Sequence, residues 1–374
     1  MSREDSANGG SRLAEMPIFT TRRLIQTLVV VLVLLGGIYF LFPKLVGLGD
    51  SLSRLGEAKP AWIAIAIGFN VLAYATYIAL FKAVVGGDVL RLRWSETYEI
   101  NLAGVAATRL FSAGGAGGIA LTYWALRKAG LPRRDVARRM IAFVSLQYAF
   151  YPIAIIVFGI LLRTGVVNGK SSVELTIIPA AIAGFLLILG ILITLIPSDA
   201  GQRLARYAHS ERSRQWLTTA GKVPATLGEG FRFALGLFTH PSKGGLAVIG
   251  AAGFWAANIG ILWASFHAFG VHVPLAVVIQ GFFLGMVANL LPFAPAGVGA
   301  VDAGMIGAFV LFGIPEETVF PAILVFRLVS FWMPIPPGIF AFFQLRHTVH
   351  RWEEEGLPVE RGGKAKPDLE PAVG

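Results

Sequence analysis

Six stretches of this chain, 24–42, 61–81, 140–162, 175–196, 245–269 and 318–343, are apolar over about the ~20 residues that a helix needs to cross a bilayer. No other feature restricts the fold as much. Backbone inside hydrocarbon finds no water, so it must close its hydrogen bonds within helices or a sealed barrel. Long apolar runs without alternation select helices. The chain is 55% hydrophobic and 14% charged, against roughly 25% charged in a soluble domain. The expected fold is an all-α polytopic membrane protein with six clear full spans.

Two further regions, about 95–126 and 273–312, are apolar but broken by Gly and Pro, and each must be either a re-entrant hairpin or a pair of crossings. The loop 127–139 carries six Lys/Arg and 197–244 carries seven, whereas 270–272 and 313–317 carry none. The positive-inside rule therefore places 127–139, 197–244 and both termini in the cytoplasm of a cell-membrane protein. Lys44, Arg54 and Lys59 then fall outside, against the rule. On this topology each broken region leaves and returns on one side.

The net charge of +10 lies mostly in loops beside the spans, which points to anionic inner-leaflet lipid rather than nucleic acid. The loop 197–244 is basic and aromatic, and amphipathic helices lying on that leaflet are expected from it. Cysteine is absent, which excludes disulfides and thiolate chemistry. Residues 1–22 are polar and expected to be disordered. The run 24–42 follows Arg22 and Arg23, has full-span length and precedes no A-x-A-like site, so a retained helix is expected. The ordered unit is 23–346, and the polar 347–374 reads as a flexible tail.

Shifting the sequence by 183 residues lays GLP (130–132) on GIP (313–315), Ala113–Gly114 on Ala296–Gly297, Phe143 on Phe326 and Tyr148 on Phe331. The repeats would run about 61–162 and 245–343. The first Gly-φ-Pro corner is flanked by basic residues, the second by Glu316 and Glu317, so the copies face opposite sides of the membrane. Inverted repeats with interrupted helices are a pattern of secondary transporters, with the substrate site where the breaks meet.

Ionisable residues at membrane depth default to functional hypotheses. Arg109 precedes the first break, Asp302 follows the second, and Arg327 sits midway along the last span. Asp302 is expected to pair with Arg327, either as a static register-fixing bridge or as a pair that opens around a lipid phosphate. Arg109 would reach phosphate or snorkel to the interface. Helix N-termini near Gly117 and Gly299 favour an anion, although Gly114 and Gly118 also form a GxxxG packing motif. SAGGAGG lacks the strand of a dinucleotide site. His347 and His350 lack acidic company for a metal. No enzymatic constellation, metal or cofactor is expected.

The strings LLPFAPAGVGAVDAG, GIPEE and FRLVSFWMPIPPGIFAF resemble the motifs of the lysylphosphatidylglycerol synthase transmembrane family, a flippase-like domain. NLAGVAATRLFSAGGAGGIALTYWALRKAGL resembles its earlier small-residue motif. The resemblance covers roughly 20–345. It marks Pro295, Gly297, Gly299, Asp302, Arg327, Pro336 and Gly338 as motif positions, the family commonly having Glu at Asp302. It implies a membrane part that moves a lipid, without the cytosolic aminoacyl-transferase domain of larger members. The expected function is translocation of an anionic, aminoacylated or polyprenyl-phosphate-linked lipid. Arg109, Gly114, Gly117, Pro295, Gly297, Gly299, Asp302 and Arg327 are the expected substrate-binding residues. The alternative is a non-transporting lipid-binding subunit or scaffold for a separate synthase or glycosyltransferase.

Overall fold

The computed structural model describes residues 54–86, 92–110, 116–170, 172–195, 222–290 and 299–354. The expected first span 24–42, part of the basic loop, and Gly114, Pro295 and Gly297 lie outside the described residues. Among the described residues the chain is helical, without strands. Five segments are long and apolar enough to cross a membrane: Pro60–Val85, Arg133–Arg163, Val173–Thr194, Gly244–Ala268 and Glu316–Glu354. They correspond to the five apolar runs from 61 onward. Three of them, Pro60–Val85, Arg133–Arg163 and Glu316–Glu354, outgrow the runs because charged end turns such as Arg133–Arg134 stay helical, which hydropathy alone does not register.

The first half comprises α1 (Pro60–Val85), α2 (Trp94–Leu110), α3 (Ala116–Lys128), α4 (Arg133–Tyr148) and α5 (Phe150–Arg163). Then come α6 (Ile177–Thr194) and α7 (Lys222–Thr239). The second half comprises α8 (Pro241–Ala268), α9 (Leu275–Met286), α10 (Ala300–Leu311), α11 (Glu316–Arg327), a π turn (Leu328–Trp332) and α12 (Ile335–Glu354).

The 183-residue shift holds element by element. It places the end of α1 at Val85 on the end of α8 at Ala268, and the end of α3 at Lys128 on that of α10 at Leu311. The start of α4 at Arg133 falls on that of α11 at Glu316. The corners agree bond by bond. Gly130 and Gly313 both take positive φ, 97° and 89°, a conformation open to glycine. Leu131 N–H donates to Leu126 O and Ile314 N–H to Phe309 O, each at 3.1 Å. These are matching Schellman-type ends, with a proline next to stop the helix.

The broken regions are helical hairpins, α2 against α3 and α9 against α10. The helices α9 and α10 have 12 residues each, about 18 Å at ~1.5 Å per residue, too short for a ~30 Å hydrocarbon core. Both hairpins close on glycine. A Cβ on Gly118 would lie 2.4 Å from Gly104 O, and one on Gly285 2.7 Å from the Met305 backbone N.

The two equivalent helices α1 and α8 pack on each other antiparallel. Gly250 lies against Thr76 and Leu80, Gly253 against Thr76 and Gly260 against Phe69, each closer than a Cβ would allow. At the far end Lys59 N–H donates to Ala268 O at 2.9 Å. Equivalent helices meeting head to tail are what an inverted repeat requires. The halves also exchange partners: α2 packs on α12, and α9 on α5.

Helix α7 gives part of the basic loop a definite structure. It packs on α4, so its apolar face meets protein as well as the expected lipid surface. It carries Glu229 into an ion pair with Arg134.

Candidate functional site

The site grows out of the last span. Its sequence SFWMPIPPG removes backbone donors: Pro334, Pro336 and Pro337 have no N–H. An α-helix would satisfy Ser330 O with the N–H of residue 334, and there is none. The chain responds with the π turn, in which Met333 N–H reaches back to Leu328 O at 3.0 Å. Carbonyls released inside a membrane must find another partner.

Arg109, from the end of α2, provides it. Its guanidinium donates to Ser330 O at 3.0 Å, to Phe331 O, and to the Tyr74 hydroxyl on α1. Arg109 therefore does not snorkel. It ties the first hairpin and α1 to the break in the second half.

Asp302 occupies the first turn of α10. Its Oδ2 accepts the Gly299 N–H at 2.9 Å and caps that helix, while Gly299 itself turns at φ 80°. Its Oδ1 lies 2.6 Å from Nε of Arg327. The expected pair is formed, with side chains 7% and 13% exposed for Arg327 and Asp302, so water screens it little. The short aspartate arm spans both duties because α10 starts beside the end of α11.

The two arginines share one ring. The Cζ atoms of Arg109 and Arg327 each stand 4.9 Å from the centroid of Phe331. Desolvated cation–π contacts of this kind are worth about 1–2 kcal/mol each. The cluster thus holds two guanidiniums and one carboxylate.

Gly117 lies in the first turn of α3, one residue before the Gly118–Gly104 crossing. Around Gly118 the packing role of the small residues is the one the structure displays. Gly338 serves packing too: a Cβ there would come 2.7 Å from Leu102 O. Glu96 and Glu99, readable as headgroup-facing helix starts, are instead buried between α2 and α12. Glu96 accepts the Arg93 N–H at 2.7 Å and the Trp352 indole N–H at 3.3 Å. Sequence reasoning missed Tyr74. Its signal was a phenol in the middle of an apolar run, a group that needs a partner there.

The class is now defined: a polytopic helical membrane protein of two opposed halves, with a charged cluster at an interrupted helix. Residues 18–338 match the family described as the lysylphosphatidylglycerol synthase TM region, and the chain belongs to that family. It is 37% identical over 79 residues to a UPF0104 membrane protein of Methanothermobacter thermautotrophicus, covering 21% of this chain and 24% of that protein. A further match to a protein of the same name and organism is 34% identical over 87 residues, 23% of this chain and 26% of the relative. A phosphatidylglycerol lysyltransferase of Staphylococcus haemolyticus is 26% identical over 102 residues, 27% of this chain and 12% of the relative. The chain thus aligns with about a quarter, or less, of the length of these relatives.

Proposed function

We propose that this protein passes the headgroup of an anionic, aminoacylated or polyprenyl-phosphate-linked lipid across the cytoplasmic membrane. The observation that carries this reading is the pair of arginines on one phenyl ring with a single carboxylate between α10 and α11. A phosphate is the ligand that two forked guanidiniums recognise best. Arg327 and Arg109 receive it. Asp302 holds Arg327 until the phosphate arrives, or meets a cationic group on the headgroup. Gly117 and Gly299 are further contacts on this reading, and Gly114, Pro295 and Gly297 join them as sequence-based candidates. The basic 127–139 and 197–244 segments face the cytoplasm and gather anionic lipid. The family name and the lysyltransferase relative support a phosphatidylglycerol-type substrate. The transmembrane unit translocates and transfers no group itself.

Native mass spectrometry of the protein in mild detergent tests this. Wild type should carry one enriched anionic lipid class and Arg327→Ala should lose it. Equal bulk lipid on both would leave Asp302–Arg327 as a structural bridge and favour a scaffold.

A further inference from the structure

Four of the eight tyrosines in the chain form two i, i+3 pairs, Tyr74/Tyr77 in YATY and Tyr148/Tyr151 in YAFY. The fold sets the pairs end to end. Tyr74 accepts from Arg109 at the second-half break. The Tyr74 and Tyr77 rings are 6.5 Å apart, edge on. Tyr77 packs 5.2 Å from Phe143, which shares α4 with Tyr148, and 4.8 Å from Phe254. The Tyr148 and Tyr151 rings, 5.3 Å apart, flank the first-half break at Ala149. The series therefore runs from one helix break to the other.

One observation sets Tyr151 apart from packing. Tyr151 is 5% exposed, and its hydroxyl has no hydrogen-bond partner among the described residues. A buried hydroxyl without a partner is costly, and phenylalanine would fill the same space without that cost.

Resting on the reading above, we infer that Tyr74, Tyr77, Tyr148 and Tyr151 form an uncharged second subsite that takes the phosphodiester of the lipid headgroup as it leaves the arginines. Phenol hydroxyls donate to phosphate oxygens as the guanidiniums do, but without a net charge they do not trap an anion. A charged site followed by a neutral lane lets the headgroup bind and still depart.

The test uses full-length protein in vesicles containing fluorescent phosphatidylglycerol, with crossing read by quencher access and lipid retention by native mass spectrometry. Tyr77→Phe with Tyr148→Phe keeps both rings and removes both hydroxyls. The double variant should retain phospholipid like wild type and cross it about tenfold more slowly. Tyr151→Phe should slow crossing about threefold. Wild-type crossing rates in the double variant would overturn the lane and leave the arginine site standing. A Tyr151→Phe protein that melts higher and crosses lipid normally would make that hydroxyl a packing defect, again against the lane. Loss of retention in the double variant would place the hydroxyls in the arginine site instead. If wild type neither retains nor moves the lipid, the proposed function fails and the lane fails with it. Added inorganic phosphate that stops crossing by displacing the lipid would assign the subsite to free phosphate.

Discussion

The last long helix of each half breaks at the same place, and the two breaks are closed by different chemistry. Gln147 and Ser330 are equivalent under the 183-residue shift. The Gln147 carbonyl accepts the indole N–H of Trp255 at 2.8 Å, and the Ser330 carbonyl accepts the guanidinium of Arg109 at 3.0 Å. In each case the donor comes from the opposite half. The break next to Pro152 is thus sealed by a neutral aromatic, and the break before Pro334 by a cation. One scaffold, used twice, becomes a packed half and a charged half through one capping residue. On the proposed function, the charge is what makes one of these joints a binding site.

The largest effect should come from removing the cationic cap. Arg109→Ala strands two carbonyls and the Tyr74 hydroxyl in the interior, an expected loss on the order of 3 kcal/mol. Trp255→Phe strands one carbonyl, and should cost about 1–2 kcal/mol. Denaturant or thermal unfolding in detergent compares them, and equal losses would erase the distinction between the halves. Next, Gly118→Ala forces a Cβ into Gly104 O and Thr108 in the first hairpin, and should destabilise by about 1–3 kcal/mol. Gly307→Ala in the second hairpin meets nothing within 4 Å and should be close to neutral.

Asp302→Asn keeps an acceptor for the Gly299 N–H but removes the carboxylate charge beside Arg327. Retention of anionic lipid should rise several-fold, since the phosphate then has no carboxylate at 302 to displace from Arg327. A fall in retention would assign Asp302 to a cationic headgroup. The smallest effect concerns a brace found on the first half, Glu229 of α7 with Arg134 of α4. The hydrogen bond from Arg134 holds the Glu229 carboxyl below its ordinary range. A depressed acid contributes stability above its unfolded pKa and loses it as pH falls through the folded value. Below about pH 4 the wild type should therefore lose a few tenths of a kcal/mol that Glu229→Gln does not, because the pair is largely exposed on the arginine side. Melting curves across that range would show it.

Much of the fold is legible in the residues. Spans follow from hydropathy, and the Gly130 and Gly313 corners follow from a glycine before a proline. Asp302 with Arg327 is legible because an ion at membrane depth must find a counter-ion. The partner of Arg109 is not legible. It lies 222 residues away, on carbonyls freed by a proline, and only the docking of the halves brings it near. Tyr74 lies in the same half as Arg109, 35 residues before it, and its apolar surroundings asked for a partner without saying which. Helix α7 was readable as amphipathic, but the protein surface it covers was not, since α4 becomes its neighbour only through tertiary packing.

The α1–α8 seam has a consequence for origin. Phe69 meets Gly260, while Tyr77, the counterpart of Gly260, meets Phe254, two residues from the counterpart of Phe69. Such a contact is isologous: the same surface serves on both sides. A single ancestral unit inserted in both orientations would close this seam against its own copy. Fusion of two copies then has only to fix which way each one points, and loop charge is the instrument. Six basic residues at one corner and two acidic residues at the other would be the record of that choice.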